Sequence, residues 1–541
     1  MYGACWPPQR QADLRPPCAA RPSGVTRACG PDGPRCGWGP APIAIPRTTR
    51  VQTHESRSSI LAVVEEQIVR GTEVEREVPG PAQRYYQHGW QSWSDSRWVD
   101  LRSARLTNPV VERWPMVDDP AFVASPRHGG SAVGAVEADG EVLLLGALGL
   151  GGRVEVDGAR LMGQVEGPPG EWLVARGTEA EVFARYAELL GDRLGRRAAR
   201  KPRVWCSWYS FYGNIDENRV LDVLDDVRGL PFDIFQLDDG WQRSIGDWRA
   251  NDRFPSGMGT LAAKIRDAGF EPGLWLAPFL ARSDSEVFEH RPELFARDDE
   301  GDPVFAGRNW GGECYALDVT HPATKELVAE TMQRAVDDGY TYLKLDFLYA
   351  AALRGRRQSD VPREQAYRDA VELIRTTVGE EVSLLACGAP IVASAGVFDA
   401  IRVGPDVAPW WDMSLVTQYL HDPTAPSTRF AIATSLNRLW LQPLIEPDPD
   451  VVYFRRRYNL LTGRERRWLQ DLARVCGFRA TSDPPAWLDD RERDELVAFF
   501  AEEPSVVHRG RHRYEIDGRE VDFSVLADAD PDFRPWDQRG Q

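Results

Sequence analysis

Between about residues 200 and 445, strand-like and helix-like patterns alternate, and nothing else in the chain constrains its fold as strongly. The strand-like runs are RVWCSWYS (203–210), FDIFQLD (232–238), FEPGLWLAP (270–278), TYLKLDF (341–347), VSLLAC (382–387), FDAIRVG (398–404) and RLWLQPL (438–444). Amphipathic helical patterns lie between most of them. ATKELVAETMQRAVDDG places Leu327, Val328, Thr331, Met332 and Ala335 on one face and stops at Gly339. REQAYRDAVELIRTT repeats the spacing with Tyr367, Ala370, Val371 and Ile374. Such alternation over roughly 245 residues predicts a (β/α)8 TIM barrel, a fold of about 250 residues. Seven of its eight strands can be placed; the stretch between about 412 and 430 has no assignable strand.

The flanks differ in style. A chain of 541 residues exceeds one core and predicts several domains. From 49 to 195 short alternating runs such as EVLLLGALGL and RVEVDGARLMGQV, broken by ADGE (138–141) and GLGG (149–152), predict an N-terminal β-sandwich domain closed by a linker helix, TEAEVFARYAELLGD. The barrel then occupies 196–445 and a small C-terminal domain with β-strands 446–541. In that last part Thr462 and Glu465 form a capping box before a helix ending at Gly477, and Asp517–Gly518 is a hairpin signal. Residues 1–48, rich in Pro, Arg, Gly and Cys without hydrophobic period, are expected to be a disordered extension.

Several function classes drop out. A net charge of −17 argues against a nucleic-acid partner, since phosphate binding needs a basic surface. The longest apolar run, VLLLGALGL, is short of the ~20 residues of a membrane helix, so no membrane association is expected. There is no C-x-x-C pair, no serine-hydrolase elbow and no P-loop. The N-terminus lacks the apolar core of a secretory signal, and a cytoplasmic enzyme with reduced thiols is expected. Nineteen Trp residues supply flat apolar faces of the kind that cover a sugar, or simply large aromatic cores.

The chemistry is concentrated where such barrels keep it, at the carboxyl ends of the strands. Those ends read WYSFY, LDDGW, WLAPF, KLDF, ACG and RVGPD. In KLDF, strand alternation points Lys344 and Asp346 the same way. A buried ion pair would explain them alone, but Asp238, Asp239 and Asp406 share that rim, and clustered acids with few cations are costly unless used. Paired carboxylates suit acetal hydrolysis, one ionised at the anomeric carbon and one protonated at the leaving oxygen. Metal-assisted hydrolysis is the competitor. The eight His are scattered, which disfavours zinc and leaves only an all-carboxylate magnesium site to weigh.

These motifs together with GDWRANDRFPSGM, LDVTHP and the upstream HGWQSWS (88–94) resemble, in order, those of the α-galactosidases of glycoside hydrolase family 36. The resemblance spans about residues 85–445. It implies Asp346 as nucleophile and Asp406 as general acid and base. It implies Asp238, Asp239, Lys344 and Arg402 on sugar hydroxyls, and Trp208, Tyr209, Trp275 and Cys387 lining the pocket. Trp90 or Trp93 would close the pocket from the β-domain, with Trp90 favoured. The implied activity is retaining, exo-acting hydrolysis of α-galactoside oligosaccharides without metal or cofactor. N-acetylgalactosaminide cleavage and galactosyl transfer use the same scaffold, and a non-catalytic sugar-binding protein is the alternative of another class. A monomer or homodimer is expected. Asp318 of LDVTHP is expected to be structural, beside a helix start at Thr320 and Pro322.

Overall fold

The structure, a computed structural model, describes residues 65–103, 105, 115–120, 123–412 and 424–527. The expected disordered extension 1–48 lies outside the described residues, as does most of the stretch from 412 to 430.

The alternating N-terminal runs form two antiparallel sheets. The six-stranded one is ordered Glu65–Gly71, Gly170–Gly177, Glu141–Ala147, Val133–Ala138, Arg84–Gln87, Arg97–Asp100. The four-stranded one is ordered Glu73–Glu77, Arg160–Val165, Gly152–Asp157, Gly129–Ser131. Tyr85, Val136, Leu145, Val154, Leu161 and Trp172 form a core shared by both. The turn at Asp139–Gly140 has positive φ at both residues, the geometry a two-residue hairpin demands. Helix Glu179–Leu194 starts at a Thr178–Glu181 capping box and buries Val182, Tyr186 and Leu190.

A parallel sheet follows, ordered Glu446–Asp448, Ala400–Arg402, Ser383–Ala386, Tyr342–Leu345, Glu271–Leu276, Ile234–Leu237, Arg203–Cys206, Arg479–Thr481, Val451–Val452. The first and last segments of that order are separated in the chain only by Pro449 and Asp450, so one run of chain borders both edges. The sheet therefore fits a (β/α) barrel. Helices Pro322–Asp337 and Arg363–Val378 bury the faces their periodicity marked.

Two expectations need correction. RLWLQPL is not a strand: Leu439–Leu441 is one 3₁₀ turn, because a short apolar run does not by itself distinguish strand from helical turn. The sheet also does not end at 445. Its remaining segments are 446–452 and Arg479–Thr481, linked by helix Gly463–Cys476, so the expected C-terminal domain 446–541 gives its first part to the barrel sheet. Pro447 and Pro449 hide the strand in EPDPDVV, since proline removes a ladder donor. What stands apart is a three-stranded sheet, Val506–Gly510, Arg513–Ile516 and Arg519–Asp522, with positive φ at both Asp517 and Gly518 in its hairpin. Among the described residues no helix is long and apolar enough to cross a membrane.

At the opposite end of its strand from the acids discussed below, Glu446 is buried, and neither carboxylate oxygen has a hydrogen-bond partner among the described residues. Burial pushes its carboxyl up to about 7, opposed by Lys201, from an ordinary 4.5. A raised acid pKa favours the folded state at low pH. The penalty grows as pH climbs from the unfolded-state value and is complete above about 7. Glu446→Gln should therefore melt higher than the parent at pH 8, by the equivalent of a few kcal/mol, with the gap closing toward pH 5. Thermal melts at both pH values check this; a pH-independent gap contradicts it.

Candidate active site

The carboxyl ends of the parallel strands bring the expected residues together. Asp238 follows Ile234–Leu237, Trp275 lies in Glu271–Leu276, Lys344 and Asp346 end Tyr342–Leu345, Cys387 follows Ser383–Ala386, and Arg402 closes Ala400–Arg402, four residues before Asp406.

Lys344 Nζ lies 2.9 Å from Asp238 Oδ2, and both side chains are buried. Burial pulls the ammonium down, but Asp238, Cys206, Asp346 and Cys387 together outweigh it, so Lys344 holds its proton more tightly than usual. Gln236 Nε2 donates to the same oxygen at 2.6 Å, and Cys206 Sγ approaches it at 3.4 Å. Asp239 accepts from Gln242 Nε2 at 2.6 Å and from Trp310 Nε1 at 2.5 Å. Burial pushes its carboxyl up to about 6 against those donors, with the Asp238 and Asp346 charges adding to the rise.

Asp346 accepts from Trp275 Nε1 at 2.9 Å and, on its other oxygen, from the Phe347 N–H at 2.8 Å. Two donors on separate oxygens fix the plane of the carboxylate. Phe347 has φ +53, so the chain turns sharply immediately after the aspartate.

Asp406 is less enclosed, its side chain 24% exposed. Arg402 Nη1 donates to its Oδ1 at 3.1 Å. Burial, then the Asp450 charge, push its carboxyl up to about 7 against Arg402, and Asp346 adds to the rise. The two carboxylates thus act on one another across the strand that carries Cys387, whose buried thiol is itself pushed up by burial and by the Asp346 charge.

The other expected residues make the following contacts. Tyr209 is buried, and its hydroxyl donates to Asp450 Oδ2. Trp208 is half-buried, its ring 5.3 Å from that of Tyr212. Trp90 is packed under the cleft wall, donating to the Met116 carbonyl at 3.1 Å, 5.5 Å from the Arg363 guanidinium and 6.4 Å from the Tyr349 ring. Trp93 is the tryptophan of HGWQSWS that reaches the residue beside Asp346, its ring 5.1 Å from Phe347. The two indoles, three residues apart, thus face different neighbours, Trp90 toward Met116 and Arg363 and Trp93 toward Phe347. Asp318 has the structural part expected, accepting from Thr320 N and Oγ1 and from Gln358 N ahead of helix Pro322–Asp337.

HGWQSWS docks on the loop after Ser383–Ala386. The Ser92 N–H donates to the Ala389 carbonyl at 3.0 Å, and the Ala389 N–H donates to Ser92 Oγ at 3.0 Å. Arg438, completely buried, clamps the segment by donating to the carbonyls of Gly89, Gln91, Ser92 and Ser94, to Ser96 Oγ, and to the Val403 carbonyl on the way to Asp406. Arg438→Met leaves those acceptors without their donor. At about 1–3 kcal/mol for each buried group left unsatisfied, it should destabilise by at least about 3 kcal/mol and raise KM as Trp93 loosens. Denaturant midpoints and steady-state kinetics check this; a parent-like midpoint contradicts it.

Four residues at or behind the cleft escape sequence reasoning. Trp310 sits at positive φ on the turn between Phe305–Asn309 and Gly312–Ala316, in a three-stranded insertion that also contains Leu280–Arg282. The turn-like NWGG was its only signal. Asp448 and Asp450 stand two apart in EPDPD, the same spacing as Lys344 and Asp346, but masked by the prolines. Arg438 had no signal, lying in a run taken for a strand.

Comparison with known proteins agrees with this geometry. A family model described as Melibiase matches residues 176–378. The chain is 48% identical to the α-galactosidase TtGalA of Thermus thermophilus, solved with p-nitrophenyl α-D-galactopyranoside, with a TM-score of 0.81 over 85% of this chain and 94% of that one. The same protein solved with stachyose gives 49% identity and a TM-score of 0.76 over 80% and 93%. Among curated proteins, the α-galactosidase AgaA of Geobacillus stearothermophilus is 28% identical over 208 residues, 35% of this chain and 27% of that protein. The match thus spans about a quarter of the length of the curated relatives.

Proposed function

The chain belongs to glycoside hydrolase family 36, and on that premise we propose that it hydrolyses terminal, non-reducing α-D-galactosyl units of oligosaccharides with retention of configuration. The scaffold is a (β/α)8 barrel in which the run 446–452 counts as one strand, flanked by an N-terminal β-sandwich. A cytoplasmic location, with Cys206, Cys314, Cys387 and Cys476 as buried thiols, belongs to the same proposal.

The carrying observation is an asymmetry between two acids. Asp346 is oriented by two N–H donors, whereas Asp406 is held by burial and neighbouring carboxylates with its proton retained up to about pH 7. Asp346 Oδ attacks the anomeric carbon while Asp406 delivers its proton to the departing glycosidic oxygen, giving a covalent glycosyl-enzyme and a neutral alcohol. Asp406, now ionised, takes a proton from water as the water oxygen displaces Asp346, which restores both groups and the α-configured sugar. Lys344, Asp238 and Asp239 supply a cation and two acceptors on the wall opposite Asp406 for sugar hydroxyls, while Trp275, Trp310 and Trp93 supply apolar faces. Both displacements move only protons and the sugar between Asp346, Asp406, the leaving alcohol and water, so no step calls for a cofactor.

Proton NMR of the first-formed sugar tests this: α-galactose appearing before mutarotation is expected, and β-galactose first contradicts it. Run alongside, p-nitrophenyl α-galactoside should be cleaved in preference to the N-acetylgalactosaminide, and excess acceptor sugar should divert little product into transfer.

A further inference from the structure

Behind the cleft one guanidinium faces three carboxylates. Arg402 Nε lies 2.8 Å from Asp448 Oδ2, Nη2 lies 3.0 Å from Asp450 Oδ1, and Nη1 lies 3.1 Å from Asp406 Oδ1. One positive charge cannot balance three negative ones in a buried site, so the cluster has to keep a proton. The distribution of donors decides where. Asp448 is fully buried and receives, besides Arg402, the Asp450 N–H at 2.7 Å. Asp450 receives the Tyr209 hydroxyl and the Val407 N–H, the latter at 2.8 Å, both on Oδ2, while its Oδ1 has the Arg402 charge beside it without a hydrogen bond among the described residues. Asp406 receives only one arm of the shared guanidinium among the described side-chain contacts, and it alone opens to the cleft.

The backbone is distorted to make this arrangement. Asp450 has φ +78, a left-handed conformation that non-glycine residues seldom adopt, and it interrupts the run between Glu446–Asp448 and Val451–Val452. Strain of this kind persists where the surroundings over-determine it. Here it turns the Asp450 carboxylate onto the N–H of Val407, the residue next to Asp406.

We propose that Asp450 is a positioning residue for proton transfer: by taking the donors of Tyr209 and Val407 and sharing the charge of Arg402, it leaves Asp406 as the carboxyl of the cluster that carries the proton. This rests on Asp406 being the acid/base. The rise of the Asp406 carboxyl follows burial first and the Asp450 charge second. The other groups acting there are Arg402 and Lys344, which oppose the rise, and Asp346, which adds to it. On Asp450 itself burial raises the carboxyl, Arg402, Tyr209 and Lys344 oppose that rise, and Asp448 reinforces it. The phenols of Tyr212 and Tyr453 and the thiol of Cys387 complete the surrounding wall, each shifted upward by burial first.

The test is the pH profile of kcat/KM on an unactivated galactoside such as stachyose for the parent, Asp450→Asn, Asp448→Asn and Asp406→Ala. Asparagine tolerates left-handed backbone, so Asp450→Asn removes charge while keeping the chain path. Its alkaline limb should move to lower pH by about one unit or more, the effect of losing one close like charge. A uniform loss at all pH values with the limb unmoved would mean a merely structural part and overturns the proposal. Should Asp450→Asn fail to fold by circular dichroism, Asp448→Asn, on the same guanidinium, decides by the same criterion. Asp406→Ala should lack the alkaline limb altogether. If it keeps the limb, the acid/base assignment itself fails, an outcome distinct from an unmoved limb in the asparagine variants.

Discussion

Asp346→Ala is expected to lose turnover by on the order of 10⁴–10⁶-fold, the range seen when an enzyme's nucleophile or its close partner is deleted. The loss is large because no neighbouring oxygen can replace it. Asp238 is engaged by Lys344 and Gln236, Asp239 by Gln242 and Trp310, and Asp406 belongs to the opposite end of the reacting bond. Folding should suffer by only a few kcal/mol, since the substitution frees two donors, the Trp275 indole N–H and the Phe347 N–H. Steady-state kinetics with calorimetric binding of galactose separate the effects: turnover collapses while the sugar still binds. Activity within a hundredfold of the parent would remove Asp346 from the nucleophile's place.

Asp406→Ala should be gentler and substrate-dependent. General acid catalysis contributes about 10²–10⁴-fold, so the full loss should appear with oligosaccharides, whose leaving alkoxide needs a proton. The p-nitrophenyl galactoside, with a stabilised phenolate, should be hit less in its first step, and azide should restore turnover by attacking the glycosyl-enzyme without needing a base. The sign of the pH dependence follows from the proton. The acid works only when protonated, and with its carboxyl pushed up to about 7, kcat/KM of the parent should fall as pH rises through that value. Equal losses on both substrates, with no azide rescue, would contradict the assignment.

Much of this was legible in the residues because barrel strands end in side chains that serve no packing purpose. A lysine and an aspartate at alternate positions of a buried strand announce Lys344 and Asp346, whereas Arg402 entered only through the family resemblance. Local chemistry was equally readable: the Asp517–Gly518 turn, and the box from Thr462 to Glu465 with a left-handed Gly477 behind it. What escaped is what depends on long-range geometry. The EPDPD strand tolerates proline because Glu446–Asp448 pairs on one side only, with Ala400–Arg402, while the pairing with Arg479–Thr481 is left to Val451–Val452. Arg438 lies in an apolar run yet serves carbonyls more than three hundred residues earlier in the chain. The different neighbours of Trp90 and Trp93 likewise depend on how that same segment is docked.

The most direct test is mass spectrometric mapping of the protein after inactivation with a fluorinated galactosyl fluoride, which forms the glycosyl-enzyme but slows its hydrolysis. One galactosyl adduct, on the peptide containing KLDFLYA and localised to Asp346, is the predicted result. An adduct on Asp406 or another carboxylate, or turnover of the reagent with no labelled protein, would contradict the two-acid account.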